Sequence, residues 1–117
     1  MDADELRDRT KKFALRIIKL VNALPNTIVG RAIGGQLVSS GTSVGANYRA
    51  ACRGRSKAEF NFKLHIVLEE ADESAFWLEV IIEAELLPKK LVIPLLNEAD
   101  ELTAIFSKSY STAKQNK

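Results

Sequence analysis

The sequence predicts an all-α protein built as an antiparallel, up-down-up-down bundle of four helices. Apolar residues recur at three- and four-residue steps through most of the chain, the period of a helix with one buried face. There is no Asn-Gly or Asp-Gly hairpin turn, and no sustained alternation of apolar and polar residues that would mark a strand. Short connections join the four periodic stretches, which favours antiparallel neighbours.

The first helix is predicted over about residues 4–24. Leu6, Phe13, Ile17, Leu20, Val21 and Leu24 line its inner face, and Pro25-Asn26 stops it. A second helix, about 27–53, turns Ile33, Leu37, Ser40, Val44, Tyr48 and Ala51 inward. Gly54 ends it, in the position that often takes a left-handed conformation. Ser56-Lys57-Ala58-Glu59 is a capping box: Ser56 accepts from the amide of Glu59, whose side chain reaches back to the amide of Ser56. It opens a third helix, about 56–86, with Phe60, Leu64, Val67, Ala71, Ser74, Leu78 and Ile81 on the core stripe. The fourth, about 89–113, carries Leu95, Ala99, Leu102, Phe106 and Ala113. Pro94 either starts this helix or kinks it. Residues 114–117 are predicted to fray.

The chain of 117 residues reads as one domain, 1–117. A single cysteine excludes an intrachain disulfide, no apolar targeting segment opens the sequence, and a reducing cytoplasm is the expected location. The net charge of +2 conceals a strong asymmetry. From Arg9 to Ala58 there are ten basic residues and no acid, whereas Glu59 to Glu101 holds eleven acids against Lys63, Lys89 and Lys90. Such a division marks either a nucleic-acid face or basic helices paired with acidic ones, within a bundle or between subunits.

Two features exceed what a lone bundle requires. Between Lys57 and Leu87, 18 of 31 residues are apolar, where a core stripe uses about three in seven. Phe62, Ile66, Phe76, Trp77 and Val80 fall off that stripe, as subunit-interface residues do; the alternative is a thin bundle that buries its third helix on several sides. Gly30, Gly34, Gly41 and Gly45 share one face of the second helix. Each costs about 1 kcal/mol relative to alanine in a helix, so the set implies close helix packing. Arg31, Gln36, Asn47 and Arg49 exclude a membrane span there. Gln36-Leu37 follows Gly30–Gly35 where a phosphate loop needs Lys-Ser/Thr.

No catalytic constellation is found, and no cofactor or metal is expected. His65 and Cys52 are the only histidine and thiol, and helical rise separates them by roughly 10 Å, too far for a nucleophile and its base. A di-iron bundle needs two Glu-x-x-His motifs, and neither is present. The acids Glu69, Glu70, Asp72 and Glu73 read as a solvated helix face.

The segments 9–27, 36–60, 69–87 and 94–114 resemble the 23S ribosomal RNA intervening-sequence proteins. The most specific pieces are Ser43-Val44-Gly45-Ala46-Asn47-Tyr48-Arg49 with Arg55-Ser56, and Glu70-Ala71-Asp72-Glu73 with Trp77-Leu78-Glu79. The resemblance implies a bacterial origin and a left-handed up-down bundle that assembles into a ring-shaped homopentamer with a central channel. More distantly similar are the accessory proteins of diversity-generating retroelements, pentamers that bind nucleic acid and a reverse transcriptase. Many family members carry a glycine-rich turn ahead of the Arg-Ser pair, whereas Cys52-Arg53-Gly54-Arg55 stands here. That substitution gathers Arg49, Arg53, Arg55 and Lys57 at one end of the bundle. Five copies would form a ring of about twenty cations able to hold a phosphate backbone without reading sequence. The expected function is therefore a non-catalytic scaffold for RNA, DNA or a nucleic-acid-bound protein, and the competing expectation is a protein–protein adaptor. Pairing of Arg49 and Arg55 with Glu59, Glu69 or Glu70 would favour the adaptor.

Overall fold

The computed structural model describes residues 1–115, which form four helices: α1 (Ala3–Asn22), α2 (Ile28–Cys52), α3 (Lys57–Glu83) and α4 (Lys89–Gln115). Each of the first three starts where a short polar side chain takes over an orphan amide. Asp2 accepts from the amide of Glu5, Thr27 from Gly30 and Ser56 from Glu59. The reciprocal capping box lies at Asp2–Glu5, where the Glu5 side chain also takes the amide of Asp2. The box expected at Ser56–Glu59 is only half made. The Glu59 carboxylate accepts instead from the amide of Arg55, one residue earlier, at 3.4 Å.

The helix ends depart from expectation in three further places. Gly54 is not left-handed; the one described residue with positive φ is Glu85, at 56°. Glu85 closes α3 at Glu83 instead of 86. The amide of Leu86 donates to the carbonyl of Ile81 and that of Glu85 to Ile82, the paired bonds of a Schellman motif, with Leu86 returning to the core. α4 begins at Lys89 and carries Pro94 inside its second turn. Lys114 and Gln115 continue α4, so the expected fray does not begin at 114. Asn116 and Lys117 lie outside the described residues.

The bundle measures 46 × 20 × 19 Å. α1 packs on α2, α2 on α3 and α3 on α4, while α1 and α4 meet much less. Glycines set the α1–α2 approach, and the paired positions rise along one helix as they fall along the other. A Cβ at Gly45 would stand 3.3 Å from the Thr10 carbonyl, one at Gly41 would stand 2.7 Å from Ile17, and one at Gly34 would stand 3.1 Å from Val21. Gly30 shares this face, but its neighbour is the turn before α2: a Cβ there would reach the carbonyl oxygen of Pro25.

Phe13, Ile17, Leu37, Val44, Leu64, Leu78, Leu102 and Phe106 are fully buried and join all four helices in one core. Each such side chain contributes about 1.5–3 kcal/mol by leaving water. Tyr48 tilts against Phe106 with ring centroids 5.2 Å apart. Ser40 and Ser74 bring polar groups into the α2–α3 seam, where their hydroxyls lie 3.1 Å apart. The Ser74 hydroxyl also reaches the Glu70 carbonyl at 2.8 Å. Every buried side-chain nitrogen and oxygen among the described residues has a partner, as a low-dielectric interior demands. No helix among those residues is long and apolar enough to cross a membrane.

Candidate nucleic-acid interface

The turn between α2 and α3 carries the cations singled out in the sequence, but the fold divides them between two grooves. Arg49 lies in the last turn of α2 and Arg53 is its C-cap. Both line a groove of about 610 Å³ between α1 and α2, together with Arg7, Lys11 and Asp8 from α1. Arg55 and Lys57 line a separate groove of about 570 Å³ with Phe60 and Asn61. Arg49, Arg53, Arg55 and Lys57 are all exposed.

The α1–α2 groove owes its form to small residues. Gly45 lets the backbone of α1 approach, and Ala14, Thr42 and Ala46 keep the floor low, so longer cationic side chains stand at the rim. Arg7 falls outside the acid-free stretch counted from Arg9, and Lys11, inside it, is not singled out in the sequence as a binding residue. Their spacing of four residues, which places them on one helix face, was the available signal.

Charge in this groove is largely uncompensated. Among the described residues, Lys11, Arg49 and Arg53 have no carboxylate within ion-pair distance. Asp8, the one acid on the lining, pairs with Lys12 at 3.0 Å. Arg7 pairs with Asp4. The Cys52 sulfur, and after it Asp4, hold the Arg7 guanidinium above its ordinary pKa. Among the described residues the side chain of Arg55 likewise has no carboxylate partner. Among the described residues only Arg9, of the arginines in the acid-free stretch, crosses to the acidic half: Nε and Nη2 each donate to Glu98 at 2.7 Å, and Glu101 lies 3.6 Å away.

The residues proposed for an interface do not share one environment. Phe62 and Phe76 are exposed, at 65% and 54%. Ile66, Val80 and Trp77 are half-buried, and Trp77 leans on the core. Phe76 meets Trp77 edge-on at 4.9 Å, and the indole Nε1 donates to Glu73 at 3.1 Å. His65 Nδ1 lies 3.1 Å from Glu69, and its ring lies 5.1 Å from Tyr110, while Cys52 lines the α1–α2 groove. Burial, and then the neighbouring Glu73, push the Glu70 carboxyl above its usual range against a bond from Ser43. Among the described residues no three His, Cys, Asp or Glu side chains converge to hold a metal ion.

Fold and surface together define an all-α four-helix bundle with exposed cations gathered around one interhelical turn. Residues 5–108 match the family described as 23S rRNA-intervening sequence protein, and the chain belongs to that family. It is similar over 95% of its length to 99% of a crystal structure of a protein of unknown function, from the S23 ribosomal protein family of Bacteroides thetaiotaomicron. The two share 31% identity and a TM-score of 0.84. No curated protein matches the chain.

Proposed function

We propose that this protein is a non-catalytic scaffold that binds the sugar-phosphate backbone of RNA or DNA without reading sequence. Its binding residues are Arg7, Lys11, Arg49 and Arg53 in the α1–α2 groove, with Arg55 on the adjoining turn and Lys57 at the start of α3. The observation that carries the reading is the absence of carboxylate partners for Lys11, Arg49, Arg53 and Arg55 among the described residues. Cations that served only to hold the bundle together would be paired as Arg9 is with Glu98. In this reading the protomer is an antiparallel, up-down-up-down, left-handed bundle, and the working unit is a homo-oligomeric ring, a pentamer, in the bacterial cytoplasm. The opposed numbering of the α1–α2 contacts and the family membership support that arrangement.

The test is a titration of structured RNA and of duplex DNA with purified protein across a series of salt concentrations. Binding should weaken linearly on a log–log plot, with a slope of about −0.9 per phosphate neutralised on duplex DNA. Arg49→Gln/Arg53→Gln should flatten that slope by about 2 and weaken binding to all sequences alike. If neither polymer binds in a salt-dependent way, the nucleic-acid role is lost and the adaptor reading takes its place.

A further inference from the structure

The exposed faces of α3 and α1 are opposite in charge, each mixes charge with apolar surface, and within one protomer the backbones of the two helices do not pack directly on each other. On α3, Phe62 and Phe76 are fourteen residues apart, which places them on one face about 21 Å apart. Both are exposed, and Glu69 and Glu73 lie between them on the same face. Across the molecule, the little-used α1–α4 seam opens into a groove of about 380 Å³. Its floor is apolar, built from Leu20, Leu87, Leu91 and Leu95, and Leu91 is 55% exposed. Arg16 and Lys19 form its rim, and among the described residues neither has a carboxylate partner.

We propose that the Phe62–Phe76 face of α3 packs along the α1–α4 groove of a second copy of this chain, with one of its aromatic rings on the leucine floor and Glu69 and Glu73 against Arg16 and Lys19. A two-fold contact of either face with itself would set acid against acid or cation against cation. Charge therefore selects a head-to-tail contact between unlike surfaces, which repeats from copy to copy and closes into a ring when the rotation allows. The α1–α2 groove takes no part in it, so the contact leaves the nucleic-acid surface open. This inference rests on the reading of the chain as a homo-oligomer and supplies the surfaces that reading lacks.

The experiment is charge reversal followed by light scattering at micromolar concentration, with helicity checked by circular dichroism. Wild type should scatter at a multiple of its 12.9 kDa protomer mass. Glu69→Lys/Glu73→Lys and, separately, Arg16→Glu/Lys19→Glu should each fall to protomer mass with helicity intact. The four changes combined in one chain restore every attraction with its sign exchanged, and should restore the mass. If wild type assembles and either double variant keeps its mass, the proposed surfaces are wrong while the oligomer stands. A wild-type protein of protomer mass overturns both.

Discussion

Tyr48 shows how one side chain links the core to the cationic groove. Its ring lies on Phe106 in the core while the adjacent residue, Arg49, faces the groove. Burial, and after it the Cys52 sulfur, raise the phenol from its ordinary 10.0 to about 12. The folded protein therefore keeps this proton over a window in which the unfolded chain releases it. The associated stability is fully present below pH 10.0 and is lost as the pH rises towards about 12. In urea denaturation across that window, wild type should lose more stability than Tyr48→Phe, which has no proton to release. Equal losses would remove Tyr48 as the source. Tyr48 was legible in the sequence as a core residue from its spacing with Val44 and Ala51. Its nearness to Cys52, four residues on along the same helix face, was legible in the same way, whereas the extent of its burial against Phe106 of α4 was not.

At the scale of the element, helix existence and buried faces were readable because a 3.6-residue period repeats over 20 to 27 residues in each helix. The ends were less readable, because a terminus depends on a few local bonds that compete closely. Gly54 looked like the left-handed residue of the chain, yet Glu85 holds that conformation, because Leu86 must turn back to reach the core. A left-handed conformation costs a non-glycine residue about 1–2 kcal/mol, and glycine relieves that cost while losing some of the gain to its freer unfolded state. Glu85→Gly should consequently stabilise the protein by about 0.5–1 kcal/mol. Glu85→Ala should leave it nearly unchanged. Thermal denaturation of the two variants checks the pair, and a destabilising glycine would show that the carboxylate, not the backbone, matters at this position.

For the whole molecule, the charge asymmetry seen in the sequence resolves into two uses that no single-chain count could separate. One arginine of the acid-free stretch binds the acidic half of its own protomer, while others are left at the grooves. Nothing in the sequence distinguishes Arg9 from Arg16, one heptad later; only the positions of Glu98 and of the α4 leucines across the seam do. The bidentate Arg9–Glu98 pair ties one end of the α1–α4 seam, and the Leu20–Leu91 groove opens at the other. Both partners are mostly sheltered, at 23% and 14% exposure, so the bond is screened less by salt than a surface pair would be. Arg9→Met should destabilise the fold by about 2 kcal/mol, because it leaves the Glu98 carboxylate without its donor. Arg9→Met/Glu98→Leu should cost clearly less than the two single changes summed, since the double variant leaves no orphaned charge. Urea denaturation at one fixed protein concentration and at two salt concentrations measures this cycle; additive losses would show that the pair does not hold the seam. Because the same seam forms the groove for α3, Arg9→Met should also reduce assembly at limiting concentration, an effect that a purely local bond between two side chains would not produce.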